Sequence, residues 1–282
     1  MSKILITGSN GQLGSCLREL ASTSRNKFIF TDIAELDITS SDAVRVFMEN
    51  ERPDWVVNCA AYTAVDKAEN EPEIAKSINS TAVDILAREA HKIDAGIVHI
   101  STDYVFKGDN PQPRLEDDPT EPQTVYGITK LEGEHFAAKN PKHIILRASW
   151  LYSVYGNNFV KTMRRLGSEK SEINVVSDQW GSPTCGHDLA KAILTVIDKP
   201  AYGTYHFSNE GATNWAIFAE EIMRFSELQC KINHILTAEY PTVARRPEYS
   251  MMSKNKFTTT YGVQIPEWEV ALEEVINKIN LQ

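Results

Sequence analysis

Short apolar runs recur along the first half of the chain, each closed by a glycine-rich or polar break. Lys3-Ile4-Leu5-Ile6-Thr7 runs into Gly8-Ser9-Asn10-Gly11-Gln12-Leu13-Gly14. Phe28-Ile29-Phe30-Thr31-Asp32, Trp55-Val56-Val57-Asn58 and Ala95-Gly96-Ile97-Val98-His99-Ile100 repeat the pattern, the last ending at Ser101-Thr102. Such near-continuous apolar runs predict strands buried on both faces. Between them, helical spacing follows the glycine turn through Leu17 and Leu20. It continues from a Ser41-Asp42 cap through Phe47 and Met48, and spans Ile74 to Glu89. Strand alternating with helix, joined by right-handed crossovers, predicts an α/β fold built on a doubly wound parallel sheet of the Rossmann type.

After Trp150 the alternation turns irregular. Val175-Val176 and Thr204-Tyr205-His206-Phe207 read as strands. Asp188–Val196 and Trp215–Phe225 read as helices, and a closing helix starts at Pro266-Glu267-Trp268. Residues 1–150 are therefore expected to form a dinucleotide-binding domain. Residues 151–282 are expected to form a smaller, irregular, mainly substrate-binding portion that returns some elements to the main sheet. Residues 109–122 carry four prolines and several acids and predict a surface loop, near a site mouth or as a plain connector.

The chain has 282 residues and a net charge of −9 without a basic block, which argues against nucleic acid and anionic membranes as partners. No apolar run reaches membrane-spanning length. The four cysteines (Cys16, Cys59, Cys185 and Cys230) lie far apart, as expected of free thiols in a reducing compartment. A cytoplasmic protein is expected, its first apolar run being a strand rather than a removable signal. The seven histidines form no zinc-binding spacing, and no metal site is expected.

The spacing Gly8-x-x-Gly11-x-x-Gly14 sits between a strand and a helix. A dinucleotide needs this arrangement: a tight turn, a close approach of backbone to the pyrophosphate, and a helix N-terminus facing the anion. Asn10, Gln12 and Leu13 belong to the same turn. Asp32, at the end of the second strand, suits the ribose hydroxyls and repels a 2′-phosphate, favouring NADH over NADPH. Asp37 and Ile38 would flank the adenine, or Asp37 would cap a turn. Cys59, Ala60 and Ala61 form a small-residue loop at a strand end, where a cofactor lies close. Tyr126 and Lys130 are four apart and share one helix face. A tyrosine is a poor acid or base near neutrality, and a nearby ammonium is expected to lower its pKa. Lys130 would also bind the nicotinamide ribose. Thr102 offers a hydroxyl to a substrate carbonyl.

Taken together these motifs resemble the extended short-chain dehydrogenase/reductase superfamily, and within it the dTDP-4-dehydrorhamnose reductase family. The segments that carry the narrower resemblance are Ala60–Glu69, Ser101–Phe106, Ser149–Tyr152, Gly156–Phe159, Asp178–Thr184 and Ala244–Pro247. The resemblance implies reduction of the C4 ketone of a dTDP-4-keto sugar by NADH or NADPH, with Tyr126 as proton donor and Thr102 and Lys130 completing the triad. It implies substrate contacts from Tyr104, Trp150, Asn158 and Arg246, and Asn79 as a member of a proton relay or an ordinary helix residue. Tyr104 has an alternative role as a strand-exit aromatic, and Trp150 as core. Dehydratases of the superfamily carry Asp-Glu after this threonine. Here Asp103 precedes Tyr104, so elimination is disfavoured. Some family members dimerise around a magnesium held by glutamates; Cys16 occupies one such position here. A monomer or a homodimer without a bridging metal is expected. A nucleotide-sugar epimerase, a reductase of another dTDP-4-keto sugar and a non-catalytic dinucleotide-binding subunit are the alternatives.

Overall fold

The computed structural model describes residues 1–281. Six parallel strands form the central sheet: β1 (Lys3–Thr7), β2 (Lys27–Phe30), β3 (Trp55–Asn58), β4 (Gly96–Thr102), β5 (His143–Ala148) and β6 (Gly203–His206). Across the sheet they run β6-β5-β4-β3-β1-β2. The chain moves outward from β1 to β2, then back to β3 on the other side of β1. The direction of winding thus reverses between β1 and β3, where the loops leaving their C-terminal ends diverge and open a crevice.

Strand periodicity decides which face each side chain serves. Ile4 and Ile6 join Leu13, Leu17, Leu189 and Ile193 in one core, under the helices Gln12–Ala21 and Gly186–Asp198. Leu5, between them, joins Val44, Met48 and Leu86 in the core on the opposite face, under Ser41–Glu51 and Ala82–Lys92. Both faces are covered, so the strands need no polar alternation. A third core gathers Tyr152, Val160, Ile173, Phe218, Ile222 and Leu272. It lies among the helices Phe159–Glu169, Trp215–Phe225 and Trp268–Asn280 and a parallel pair of strands, Glu172–Val176 with Lys231–Ile235.

Three local expectations shift. The second strand stops at Phe30, leaving Asp32 in the outgoing loop. Ser40, rather than Ser41, caps the next helix by accepting from the Ala43 N–H at 3.3 Å. The helix expected over Ile74–Glu89 is divided: Pro72–Lys76 and Ala82–Lys92 are separated by a π-helical turn at Ser77–Thr81. Residues 109–122 contain no helix or regular strand. Their Arg114 N–H donates to the Met251 carbonyl at 2.9 Å, which ties the loop to the segment beyond Ser250.

Candidate active site

The glycine turn occupies the β1 side of the crevice. Gly8 has φ +64°, and a Cβ there would meet the Ala60 backbone nitrogen at 2.6 Å, so only glycine lets the loops after β1 and β3 touch. A Cβ on Gly14 would lie 2.5 Å from the Ser9 Cα, so the helix packs directly on the turn. That helix starts at Gly11 with no side-chain cap, leaving its first N–H groups free to face an anion. Cys59, Ala60 and Ala61, partly buried, form the opposite wall, and burial pushes the Cys59 thiol pKa up.

The Asp32 carboxylate accepts from the Asn10 and Ile33 N–H groups, each at 2.9 Å, and so braces the turn. Arg18 reaches the same place: it donates to Ser9 Oγ at 2.9 Å and lies 4.2 Å over the Phe30 ring. Asp37 accepts from the Thr39 N–H and hydroxyl at 2.9 and 2.6 Å, which holds its carboxyl below the usual range and closes a local turn. Ile38 is buried among Leu36, Val44 and Met48, and Leu13 is in the core below the sheet. Gln12 turns away from the turn, accepting from Ser153 Oγ at 3.1 Å and Asn158 Nδ2 at 3.0 Å. Asn158 also caps the helix Phe159–Glu169 through the Lys161 N–H at 3.1 Å.

Tyr126 and Lys130 project from the helix Val125–Ala137. Its first turn is fixed by two acceptors: Thr124 Oγ1 takes the Gly127 N–H at 3.0 Å and Glu69 the Val125 N–H at 2.9 Å. Its approach is set by two glycines. A Cβ on Gly127 would lie 2.3 Å from the Tyr104 carbonyl oxygen, and one on Gly133 2.2 Å from the Asn79 carbonyl oxygen. The π turn matters here because its extra residue re-aims the side chains that follow. Asn79 is buried, accepts the Tyr62 N–H at 2.8 Å and donates to the Tyr62 carbonyl at 3.1 Å and Thr129 Oγ1 at 3.2 Å. Its amide thus clamps the β3 loop to the Tyr126 helix.

Thr102 ends β4 with its hydroxyl near the Tyr126 phenol, donating to Asp103 Oδ1 at 2.9 Å and accepting the Tyr104 N–H at 3.2 Å. The expected lowering of the Tyr126 pKa by Lys130 is not what the structure gives. Burial pushes the phenol up to about 12, opposed by the nearby Thr102 hydroxyl, and the Asp103 charge raises it further. The Lys130 ammonium is turned aside: Nζ donates to the Ile100 carbonyl at 2.5 Å and lies 3.5 Å from His99 Nε2. Burial brings Lys130 down to about 8, against the raising effect of Glu134. His99 is buried, kept uncharged by burial and by Lys130, and meets Asn58 at 3.2 Å. A phenol that stays protonated through neutrality suits an acid.

The wall facing this triad joins Tyr104 to residues from later in the chain. Tyr104 packs edge-on against Tyr126, ring centroids 5.5 Å apart, and its phenol lies beside the Arg246 guanidinium. Arg246 also pairs with Asp66, whose other oxygen accepts the Ala244 N–H at 3.0 Å. A shallow pocket opens here, lined by Tyr104, Lys107, Gln123, Thr124, Arg245 and Arg246. Trp150 has φ +49°, a strained value for a large side chain, and stacks on Trp215 at 3.6 Å with 11° between the rings. Asp66, Glu69, Gln12 and Trp215 do work that the sequence reading did not assign to them; the first two lie inside the quoted Ala60–Glu69 segment.

The family described as RmlD substrate binding domain matches residues 2–281. The dTDP-4-dehydrorhamnose reductase of Escherichia coli K12 is 40% identical, with 98% of this chain and 97% of that protein covered. A solved dTDP-4-dehydrorhamnose reductase from Clostridium acetobutylicum superposes with a TM-score of 0.97 at 44% identity, covering 99% of each chain. One from Bacillus anthracis, solved in complex with NADP, superposes with a TM-score of 0.96 at 40% identity over 98% of this chain and 99% of that one. The chain belongs to the RmlD substrate binding domain family, among the dTDP-4-dehydrorhamnose reductases.

Proposed function

We propose that this chain reduces the C4 ketone of dTDP-4-dehydro-L-rhamnose to give dTDP-L-rhamnose, with Tyr126 as the proton donor. The observation that carries the reading is the meeting, at the C-terminal ends of β1, β3 and β4, of a glycine turn shaped for a pyrophosphate with a buried phenol, kept protonated by burial, near the Thr102 hydroxyl. A nicotinamide dinucleotide fits the residues present: Gly8 and Gly14 hold the turn, the Ala60 loop and the helix start in close backbone contact, and that helix begins without a side-chain cap on its first N–H groups. When bound, it supplies the hydride. Gly8, Asn10, Gly11, Gly14, Asp32, Ala60 and Ala61 would hold it, and Lys130 would exchange the Ile100 carbonyl for ribose hydroxyls. Tyr104 and Trp150 would shape the sugar pocket, and Arg246 would meet the diphosphate with the fork geometry phosphate favours. Asn158 would act on the ligand through Gln12 rather than by touching it.

The test is oxidation of NADH and NADPH followed at the nicotinamide absorbance, with enzymatically generated dTDP-4-dehydro-L-rhamnose. Turnover to dTDP-L-rhamnose bears the proposal out. Cofactor binding without turnover would move the assignment to another keto sugar or to a non-catalytic subunit, and tightly retained NAD+ to an epimerase.

Cofactor preference turns on two charges near one place. Asp32 opposes a 2′-phosphate, while Arg18, tethered to Ser9, can meet one. Both coenzymes are therefore expected to work, with NADH favoured. Asp32→Ala is expected to shift the NADH:NADPH ratio of kcat/KM toward NADPH by about tenfold, roughly the effect of one local charge contact. An unchanged ratio would remove Asp32 from specificity.

No cluster of three or more metal-ligating side chains occurs among the described residues. Excess chelator is expected to leave turnover within about twofold of its starting value, since a lost structural metal costs far more. Strong inhibition reversed by magnesium would overturn this. The protein is expected to work in the cytoplasm as a monomer or homodimer; no helix among the described residues is long and apolar enough to cross a membrane.

A further inference from the structure

Trp150 stands two residues beyond Ala148, the β5 residue that pairs in register with Thr102 of β4. It therefore leaves the sheet at the same C-terminal edge as the triad. Its φ of +49° is one that a large side chain avoids. The backbone around it is tied down. The Ser149 hydroxyl donates to the Ser182 carbonyl at 2.6 Å, and the Thr184 hydroxyl to the Ser149 carbonyl at 2.5 Å. The Thr184 N–H donates to the Trp150 carbonyl at 3.2 Å. A left-handed residue of this size persists only where its surroundings over-determine it, and such residues gather at ligand sites.

The indole is fixed as well as the backbone. One face lies on Trp215, with ring centroids 3.6 Å apart and 11° between the planes. Aromatic pairs left to themselves prefer offset or edge-on packing, with centroids about 4.5–7 Å apart. So flat a stack is imposed by what holds the two rings. An edge of the Trp150 ring lies on Gly181, where a Cβ would come within 2.7 Å of it. Both supports come from one short antiparallel pair, in which Thr213 opposes Gly181 and Asn214 opposes Trp180. Trp215 follows at once, as the first residue of a helix that Asn214 caps through the Ile217 N–H at 2.9 Å. Phe159 packs against Trp215 in turn, centroids 4.6 Å apart. Trp150 nevertheless stays partly exposed. With one face and one edge covered, its other face is the open one.

We propose that Trp215 is a positioning residue of the sugar pocket, holding the Trp150 indole as the wall on which the sugar ring packs. This rests on the reductase reading above. The sugar of the substrate carries a methyl group and ring C–H bonds, which an aromatic face receives without hydrogen bonds. The nucleotide diphosphate needs no such wall. Trp215 acts through Trp150 and touches no reacting atom, so its contribution is confined to the sugar.

The test measures calorimetric affinities for dTDP-L-rhamnose and for dTDP, in wild type, Trp215→Leu, Trp215→Phe, Trp150→Ala and the Trp150→Ala, Trp215→Leu double variant. Trp215→Leu is expected to weaken dTDP-L-rhamnose by about tenfold, the scale of one aromatic contact, and dTDP by less than about twofold. Trp215→Phe keeps a ring under Trp150 and is expected to stay within about threefold of wild type for both ligands. The double variant is expected to bind no more weakly than Trp150→Ala alone, because two residues acting through one contact are not additive. In the ligand-free wild type, the exciton couplet of two stacked indoles is expected in the ultraviolet circular dichroism, and its loss in Trp215→Leu. Equal weakening of both ligands, losses that add in the double variant, or wild-type affinity in Trp215→Leu would each overturn the proposal. So would a wild-type chain that shows no couplet or binds dTDP-L-rhamnose no tighter than dTDP; these two readings hold even if a variant fails to fold. Sugar-specific binding without turnover of dTDP-4-dehydro-L-rhamnose would instead remove the reductase reading and leave the role of Trp215 standing.

Discussion

Tyr126→Phe lowers turnover by about a thousandfold while leaving NADH affinity within about twofold, the pattern of a lost proton donor. The phenyl ring keeps the edge-on contact with Tyr104, whose centroid lies 5.5 Å away, so the helix start and the glycine turn are undisturbed. Only the phenol oxygen near Thr102 disappears. Burial holds the phenol protonated up to about pH 12, so Tyr126 itself contributes no loss of activity on the alkaline side. That loss comes from Lys130, whose ammonium is given up as pH rises through about 8. The measurements are kcat from NADH oxidation and cofactor affinity from quenching of protein fluorescence. Turnover within tenfold of wild type would remove Tyr126 as the acid.

Gly14→Ala has the second large effect, and it acts on binding. The added methyl would lie 2.5 Å from the Ser9 Cα and 2.6 Å from the Gly8 carbonyl oxygen. Both are backbone atoms of the turn and cannot swing aside as a side-chain tip can. The helix Gln12–Ala21 must back away from β1, and its free N–H groups withdraw from the pyrophosphate. Cofactor affinity is expected to fall by about a hundredfold, roughly 3 kcal/mol. Overpacking also costs about 1–3 kcal/mol of stability. Calorimetric titration with NADH and thermal melting of the same sample separate the two. A variant that binds NADH as tightly as wild type would show that the turn does not hold the pyrophosphate.

How much of this was legible in the sequence depends on how local each feature is. The parallel strands announce themselves because burial on both faces leaves no room for polar residues, as in Ile4-Leu5-Ile6. The glycine turn is legible because its conformation and close contacts exclude side chains. The strand Lys231–Ile235 was missed: its apolar positions Ile232 and Ile235 are separated by Asn233 and His234, so no alternation shows, and its partner Glu172–Val176 is remote in the chain. The π turn at Ser77–Thr81 was missed because one inserted residue barely disturbs helical spacing over so short a stretch. The Asp66–Arg246 pair joins residues 180 positions apart, and no local pattern encodes it. The Tyr126 pKa was read in the wrong direction because charge proximity can be guessed from spacing, whereas burial and the aim of the Lys130 ammonium cannot.

The edge strand β6 carries a consequence for how the molecule is made. It pairs with β5 from Gly203↔Ile144 to His206↔Arg147, yet it follows the helices Phe159–Glu169 and Gly186–Asp198 in the chain. During synthesis β1 to β5 emerge from the ribosome first, and β5 then has a bare edge until His206 is clear of the exit tunnel. Unpaired edges of apolar strands invite pairing with other chains. The helix Gly186–Asp198, which covers Ile4, Ile6 and Leu17, also arrives late. A nascent or truncated chain ending near residue 150 would therefore hold its strands without a closed sheet or a covered face, and would depend on chaperones or aggregate. Completion of the fold is a late event in translation, and the first half of this protein is not a module that can be borrowed alone.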